Sequence, residues 1–453
     1  MTCAANNFLA RPLAVFVALQ IFLSGCSLYR PRTLTEATYL DRAQTQTDAG
    51  VSVTVAVLSS RESKKVFGVS LAQKGMQAIW LKIKNGEDIP YIFIERSTDP
   101  HYYTAEEAAH VNHFRTAYRV IEYGVASFFF FPVLALAPAH LASALYANRK
   151  MNIVFRSKGL PSHVVMPGRE VAGFVFTNLD EGMREVHVEL RSIRGNKEFT
   201  FFVTVPGLRS DHQGADFETM YSPERIVVFD EVNLVKALEQ LPCCAANKKG
   251  TVEGDPLNLV LVGEYQQILT AFAAAKWEET ERVWAGSVWK SLRAYMFGRP
   301  YKDSPVSYLY VKGLHQDISL QKTRERISER LHLRLWYTHV RFMEKPVWIG
   351  QVSRDVGVRL TLKNWTLVTH KIDPNVDDAR DYVLADLTEI ERVGRYGYVR
   401  GVGEVDRSNL RKNVTGDRYY TDGLRLVVQL SETRAPLGSF KWDFPTASRE
   451  ALV

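Results

Sequence analysis

The sequence predicts a multidomain α+β protein: an immunoglobulin-like N-terminal β-sandwich with an inserted helical and apolar segment, followed by a C-terminal α+β sandwich domain. Three observations lead to this fold class. The chain of 453 residues is long enough for two or three domains. Short β-rich runs separated by turn residues fill two blocks before residue 205. Strand and helix patterns then follow one another without regular alternation after residue 254.

The first residues of the chain have the composition of an export signal. Residues 1–25 contain one charged side chain, Arg11, followed by an apolar run that ends in small residues. This order is typical of a secretory signal peptide. The apolar run is also too short to span a bilayer comfortably, so we expect residues 1–25 to be removed.

The stretch Leu23-Ser24-Gly25-Cys26 resembles the lipobox of bacterial lipoproteins. The resemblance implies cleavage before Cys26, a diacylglycerol on its sulfur and an acyl chain on its new amino group. Ser27 stands where an aspartate would retain such a protein in the inner membrane. We therefore expect a lipid anchor at Cys26 on the periplasmic face of the outer membrane, with envelope proteins as further partners.

The charge of the processed chain argues against nucleic acid as a partner. Without residues 1–25 the chain keeps 56 basic and 50 acidic residues, a net charge of +6. This small excess is unlike the concentrated basic patch of a nucleic-acid-binding protein.

Residues 26–50 are polar and lack hydrophobic periodicity, which predicts a flexible tether between the lipid and the first domain.

The predicted sandwich domain spans residues 51–242 and has an insertion at 97–150. Its β-rich runs are VSVTVAVL, AIWLKIKN and PYIFIE before the insertion, and NIVFRS, HVVMP, EVAGFVFT, EVHVEL and FTFFVTV after it. Within the insertion, Thr104 and Glu107 have the spacing of a capping box, so we expect a helix there. His110 and His113 follow at helical spacing, but without a third ligand nearby packed or solvated histidines are favoured over a metal site.

Residues 124–147 form an apolar stretch long enough to cross a bilayer. A crossing would place strands of one sandwich on opposite sides of the membrane, and Pro132 and Pro138 would interrupt a single helix. We therefore predict two short helices that pack on the sandwich or rest on the membrane. A transmembrane helix is the alternative.

The predicted boundary between the domains lies near residues 243–255. Before it, PERIVVFDEVNLVKALEQLP predicts a strand and a helix capped by Asp230. The boundary segment contains Cys243 and Cys244, which could bridge only through a strained ring. A loop pair without chemistry is the interpretation that we favour.

The C-terminal domain, residues 254–435, contains several blocks that resemble a known family. These are LVGEYQQILTAFAAAKW, SPVSYLYVKGLHQDISLQK, RISERLHLRLW, KPVWIGQVSRD and THKIDPNVDDARDYVLADL. Together, over about residues 254–395, they are similar to the LssY C-terminal domain. The resemblance implies an α+β module of bacterial envelope proteins with a suggested link to type I secretion and with no established biochemical activity.

A predicted strand in this domain carries the first candidate site. Its alternation places His332, Arg334 and Trp336 on one face and leucines on the other. An imidazole, a bidentate cation and an aromatic ring suit the binding of phosphate, carboxylate or sugar. The alternative that we favour is a solvated sheet face with one partly buried tryptophan.

The remaining candidates lie at a predicted helix that begins after residue 375: His370 and Asp373 precede this helix, and Asp377 and Arg380 belong to it. Asp373 or Asn375 could cap this helix, and Asp377 in its first turn would complement the helix dipole. The run DPNVDD lacks the glycine of a calcium loop, so no metal is predicted here. A metal or acid/base site would need His332, His370 and Asp373 to lie close together.

These patterns lead to two functional hypotheses. The first is a lipid-anchored envelope protein that binds or scaffolds other components, without enzymatic activity or cofactor. The second is a periplasmic hydrolase of phosphate- or sugar-containing envelope substrates that uses His332, Arg334, His370 and Asp373. The sequence contains no GxSxG, Walker, HExxH or dinucleotide-binding motif, which favours the first hypothesis.

Overall fold

A computed structural model describes residues 29–31, 38–114, 137–283, 287, 305–323, 330–360 and 368–442. They form a multidomain protein of mostly β-sheets with some helices, which confirms the predicted α+β class. The chain divides into two compact units. The first comprises the described residues up to Asp180 together with Val186–Gly207, and the second comprises Glu181–Glu185 and the described residues from Leu208 onward.

The first unit contains eight strands and four α-helices among its described residues. The strands are β1 Gln44–Asp48, β2 Val51–Val57, β3 Met76–Asn85, β4 Tyr91–Ile94, β5 Val164–Val165, β6 Glu170–Asn178, β7 Gly182–Ser192 and β8 Gly195–Val205, of which β7 begins within the second unit. The helices are α1 Ser60–Phe67, α2 Glu95–Thr98, α3 Ala105–Asn112 and α4 Ala137–Lys158, with short 3-10 helices at Thr38–Arg42 and Leu71–Lys74.

These strands form two four-stranded sheets, in the orders β1-β2-β3-β6 and β5-β4-β7-β8. Alternate residues of both sheets, such as Val53, Ile83 and Val188, belong to one buried hydrophobic cluster. The predicted strands of both blocks are therefore present, apart from NIVFRS.

The helices α1, α3 and α4 cover the other face of the first sheet. Ala147, Met151 and Phe155 of α4 lie in a second buried cluster with Phe67 of α1, and the Phe67 and Phe155 ring centroids are 4.8 Å apart. The prediction of a strand at NIVFRS is wrong, because these buried side chains recur at helical spacing and α4 continues to Lys158. Pro138 lies within the first turn of α4 as the structure describes it, where proline is tolerated.

The N-terminal segment differs from the predicted flexible tether wherever the structure describes it. Tyr29 is only 5% exposed and belongs to the cluster that contains Phe67 and Phe155. Further along, Arg42 of the first 3-10 helix donates to Glu62 of α1 at 2.7 Å. The chain is thus folded against the first unit at residues 29–31 and from residue 38.

Among the described residues, no helix is both long enough and apolar enough to cross a membrane. Residues 124–136 of the predicted apolar stretch lie outside the described residues, and residues 137–147 form the first half of α4.

The second unit contains three further α-helices and sixteen further strands among its described residues. The helices are α5 Glu231–Glu239, α6 Tyr265–Ala274 and α7 Val376–Glu389. The strands are β9 Val227–Phe229, β10 Cys244–Ala246, β11 Glu253–Pro256, β12 Leu259–Val262, β13 Glu278–Glu279, β14 Tyr310–Val311, β15 Leu314–His315, β16 Ile318–Thr323, β17 Arg330–Phe342, β18 Lys345–Leu360, β19 Val368–Ile372, β20 Val393–Arg400, β21 Arg411–Lys412, β22 Arg418–Tyr419, β23 Leu424–Leu430 and β24 Gly438–Ser439.

A ten-stranded mixed sheet forms the centre of this unit. Its main path runs β13-β16-β17-β18-β12-β23-β20-β24, with β9 paired to β17 and β19 paired to β18. Helices α6 and α7 pack on one face through a large buried cluster that includes Phe272, Val383 and Trp348. Helix α5 packs on the opposite face through Leu234 and Leu238.

The segment 208–242, which we assigned to the sandwich domain, belongs to the second unit. Asp230 does cap α5 as predicted, because its side chain accepts from the Asn233 amide at 2.8 Å. The fully buried guanidinium of Arg425 in β23 donates to the carbonyl oxygens of Leu238, Leu241 and Pro242 at the end of that helix. The predicted boundary at 243–255 therefore falls inside a folded unit.

Candidate functional site

The strands β16, β17 and β18 have two chemically different faces. As predicted from alternation, Leu331, Leu333 and Leu335 point into the large hydrophobic cluster under α6 and α7. His332 and Arg334 lie on the opposite face, next to Ser353 and Gln351 of β18 in the antiparallel register. The leucines therefore anchor the strand and hold the polar residues in fixed positions.

The polar residues on this face form a buried group that we call the polar array. It consists of Ser319, Gln321, Arg330, His332, Arg334, Gln351, Ser353 and Asp355, all of them buried. The solvated sheet face that the sequence analysis favoured is therefore wrong. Burial of so many polar groups is costly unless each finds a partner.

The polar array contains two arginine–glutamine pairs. Arg330 Nη1 donates to Gln321 Oε1 at 3.2 Å, and Arg334 Nη1 donates to Gln351 Oε1 at 2.5 Å. Each arginine thereby fixes the orientation of its glutamine amide, because a flipped amide would turn N–H groups toward a cation. The Nε2 atoms of Gln321 and Gln351 and Nε of Arg330 are buried and have no hydrogen-bond partner among the described residues.

His332 forms the centre of the array through a contact with a carboxylate. Its Nε2 lies 2.7 Å from Oδ2 of Asp355, and both side chains are buried. A carboxylate at this distance fixes the orientation of the imidazole ring. The pair has the composition of an acid/base dyad, although the sequence analysis did not single out Asp355.

The charges around Arg334 are nearly balanced. Burial lowers the pKa of the Arg334 guanidinium, and the charges of Asp255 and Asp355 oppose this shift. Burial likewise raises the pKa of Asp255, which accepts from Asn413 Nδ2 at 2.6 Å. Arg334 Nε also donates to the Ser307 carbonyl at 3.1 Å. The array therefore has cationic donors without a large net charge.

Trp336 shares the face of the array but belongs to an apolar cluster. Its indole packs with Ile349, Leu309 and Val311, and its Nε1 donates to the Leu314 carbonyl at 3.1 Å. The ring is therefore held in the core, and it does not act as a free stacking surface for a ligand.

Asp377 and Arg380 belong to a separate ion-pair network on α7. The guanidinium of Arg380 makes a bidentate contact with Asp422 at 2.8 and 3.0 Å and also donates to Asp381 at 2.9 Å. Burial raises the pKa of Asp377, and the charge of Arg380 opposes that shift. Every carboxylate here has a protein partner, which indicates a structural link between α7 and the loop before β23.

Asp373 and His370 do not complete the predicted acid/base site. Oδ1 of Asp373 accepts from the Asn375 amide at 2.9 Å, and Asn375 holds the N-cap position of α7 without a capping bond from its side chain. His370 pairs through its backbone with Val358, and its side chain lies outside the described residues. Of the predicted catalytic set, the described side chains bring only His332 and Arg334 together on one face.

Cys243 and Cys244 form a disulfide between neighbouring residues, which the sequence interpretation did not favour. Arg411 Nη1 lies 3.7 and 3.8 Å from the two sulfurs. Together with Glu253 they form a possible metal-ligand cluster. Among the described residues, it is the one group of at least three His, Cys, Asp or Glu side chains whose ligand atoms all lie within 4.8 Å of one another. Because thiolates are the metal ligands, the disulfide form offers no metal site.

A second buried histidine cluster was missed by the sequence analysis. His212 Nε2 lies 3.2 Å from Oε2 of Glu279 and 3.1 Å from Oγ of Ser210. Burial raises the pKa of Glu279, but its hydrogen bonds, with His212 foremost, hold it below the usual value. A nucleophile relay needs serine and carboxylate on different imidazole nitrogens, so this cluster does not have that geometry. No local signal connects Ser210 and His212 to Glu279, which lies much later in the sequence.

Two other predicted positions complete the comparison with the sequence. Thr104 and Glu107 form the expected capping box of α3, and His113 Nε2 lies 2.7 Å from Asn152 Oδ1 of α4, so His113 packs between helices. Cys26 lies outside the described residues.

The second unit is thus an α+β domain whose central sheet has one apolar face and one face with a buried polar array. Residues 235–424 match the family described as LssY C-terminus, so the chain has an LssY-like C-terminal domain. The match extends beyond the predicted range of 254–395 at both ends and includes most of α5. No curated protein matches the chain.

Proposed function

We propose that this protein is a lipid-anchored component of the bacterial cell envelope, held through Cys26 on the periplasmic face of the outer membrane. In this proposal it binds or scaffolds other parts of a membrane or secretion-associated assembly. Its LssY-like domain binds an oxygen-rich group, such as a phosphate, carboxylate or sugar, at the polar array.

The observation that carries the ligand-binding proposal is the set of three buried donors without a partner among the described residues, Gln321 Nε2, Gln351 Nε2 and Arg330 Nε. An unpaired buried donor costs about 1–3 kcal/mol, so three of them on one face call for an acceptor. Oxygen acceptors of a ligand meet this need, and the two guanidinium groups add charge-assisted bonds.

The N-terminal unit would serve as the protein-binding part of the same assembly. Its two sheets share one core, which supports the expectation of an immunoglobulin-like sandwich. We expect envelope proteins, and no nucleic acid, to contact this unit.

Metabolic labelling with palmitate tests the anchor. The wild-type protein should incorporate the label and fractionate with the outer membrane. A Cys26→Ser variant should lose both properties, whereas Cys243→Ser, a matched change at a cysteine far from the signal, should retain them. Equal labelling of the wild type and Cys26→Ser would contradict the anchor.

Glutamine-to-glutamate variants test the array. Gln321→Glu and Gln351→Glu keep the oxygen that accepts from arginine but replace each unpaired donor with an acceptor. We expect both variants to fold and to lose binding of inorganic phosphate, citrate or sugar in calorimetric titration. Gln73→Glu, an exposed position in the first unit, provides the same charge change as a control. Undiminished binding by both array variants would refute the site.

The His332–Asp355 contact beside Arg334 supports a second candidate function, hydrolysis of a phosphate- or sugar-containing substrate. A panel of phosphoesters and glycosides distinguishes it from binding alone. Turnover that disappears in His332→Asn would establish the hydrolase, whereas binding without turnover would leave the domain as a binding module.

A further inference from the structure

Helix α4 has a surface that none of the described sheets and helices of its unit covers. The α4 outer face consists of Leu145, Tyr146, Arg149, Lys150 and Ile153, all of them exposed. These positions recur at helical spacing, opposite the buried Ala147, Met151 and Phe155. Helix α4 therefore buries one apolar face in the core and exposes a second apolar strip to solvent.

The apolar part of this face is unusually open for a folded protein. Leu145, Tyr146 and Ile153 are 55%, 70% and 62% exposed. Arg149 and Lys150 lie between them and form no ion pair with any residue that the structure describes. Leucine, isoleucine and tyrosine beside unpaired cations are typical of a helix that lies in the interface of an anionic membrane.

The first described residues of the chain pack in the hydrophobic cluster beneath α4. Tyr29 is buried, and a Cβ atom at Gly68 would lie 3.0 Å from its Cε2. Gly68 follows Phe67, whose ring packs on Phe155 of α4. Only two residues stand between Cys26 and Tyr29 in the sequence, and three residue steps span at most about 11 Å.

We propose that the α4 outer face is a membrane-contact surface that binds anionic phospholipid headgroups of the bilayer that holds the lipid anchor. The proximity argument rests on the proposed lipidation of Cys26, whereas the composition of the face does not depend on it. A short connection to buried acyl chains keeps the unit at the bilayer surface, where the apolar side chains insert and the cations contact phosphates. The occupant of this face is therefore the bilayer and not a second protein.

Vesicle binding without the anchor tests the surface itself. The mature chain, residues 26–453 with Cys26→Ser, is sedimented with vesicles of phosphatidylethanolamine and phosphatidylglycerol. We expect binding that weakens with salt and falls by on the order of fivefold for each of Arg149→Glu and Lys150→Glu. Lys248→Glu and Lys249→Glu, at exposed positions of the second unit, should bind like the parent chain.

Depth measurement on the lipidated protein provides the second test. An environment-sensitive dye on Tyr146→Cys should shift to the blue when the protein is reconstituted in the same vesicles. The same dye on Ile193→Cys, which is 92% exposed in the turn between β7 and β8, should not shift.

The outcomes separate this inference from the proposed function. Vesicle binding by the unlipidated chain together with absent palmitate labelling would overturn the anchor and leave the surface supported. Palmitate labelling without a dye shift at position 146, or equal vesicle binding by all charge variants, would overturn the surface. Preferential capture of a second copy or another protein on the α4 outer face would also overturn it.

Discussion

At the scale of single residues, Asp317 is expected to make the second unit less stable as pH rises. Burial foremost, together with the charge of Asp211, raises the pKa of its carboxyl to about 6 against the opposing effects of the Tyr337 amide and His315. The unfolded chain loses this proton near pH 4, so unfolding becomes easier between about pH 4 and pH 6.

Asp317→Asn should remove the free-energy cost of ionising this buried carboxyl. In the wild type the Tyr337 N–H donates to Asp317 Oδ2 at 2.7 Å, and the amide oxygen of asparagine can still accept this hydrogen bond. We expect the variant to be more stable than the wild type by about 2–3 kcal/mol at about pH 8 and nearly equal at about pH 3. Urea unfolding across this pH range measures the difference. A constant difference between the two proteins at all pH values would contradict the assignment.

Arg380 is expected to stabilise the second unit because its guanidinium pairs with the carboxylates around α7. Replacement by Met would fill much of its volume but leave the carboxylates of Asp377 and Asp422 without their cation. We expect a loss of about 3–5 kcal/mol in the free energy of unfolding. Arg434→Met, at an 81% exposed side chain paired with Glu391, should change stability by less than about 0.5 kcal/mol. Similar losses in both variants would show that the buried network contributes nothing specific.

At the scale of elements, α1 joins the N-terminal segment to the first unit. Ser59 and Glu62 form a capping box, and Glu62 also accepts from Arg42 of the 3-10 helix. Burial alone would raise the pKa of Glu62, but the hydrogen bonds from Arg42 and Ser59 lower it to about 2. The stability that this carboxylate contributes is therefore present above about pH 4.5 and lost as pH falls toward 2.

Glu62→Gln should lower stability by about 3 kcal/mol at neutral pH, with the deficit shrinking as pH falls from about 4.5 to 2. Thermal unfolding at several pH values provides the measurement. Glu170→Gln serves as the control, because its exposed side chain lies 3.8 Å from Lys82 and should contribute little. A deficit that persists unchanged at low pH would contradict the proposed role of the charge.

Elements with local signals were predicted well from the sequence. The capping residues Thr104 and Asp230 and the alternating leucines of β17 each depend on neighbours a few positions away. The NIVFRS segment was misassigned because its β-branched and aromatic residues favour a strand when read without the preceding helix. Burial of the polar face was also missed, since Arg334 contacts Ser307, which is distant in sequence.

At the scale of the whole molecule, the division of the chain determines which fragments fold. The second unit includes β9 and α5, and the guanidinium of Arg425 reaches three carbonyls at the end of α5 across more than 180 residues of sequence. No local pattern before residue 254 indicates this contact, which explains why the sequence-based boundary lies too late in the chain.

A fragment of residues 208–453 should therefore unfold cooperatively, whereas residues 254–453 should not. The shorter fragment loses the packing of Leu234 and Leu238 and leaves much of a buried guanidinium without acceptors. Each lost hydrogen bond to a charged group costs about 1.5–3 kcal/mol, so three exceed the stability margin of many domains. Circular dichroism during heating measures the difference, and Arg425→Met in the longer fragment should reproduce most of the loss. Equal unfolding midpoints for the two fragments would instead show that the domain boundary lies at residues 243–255.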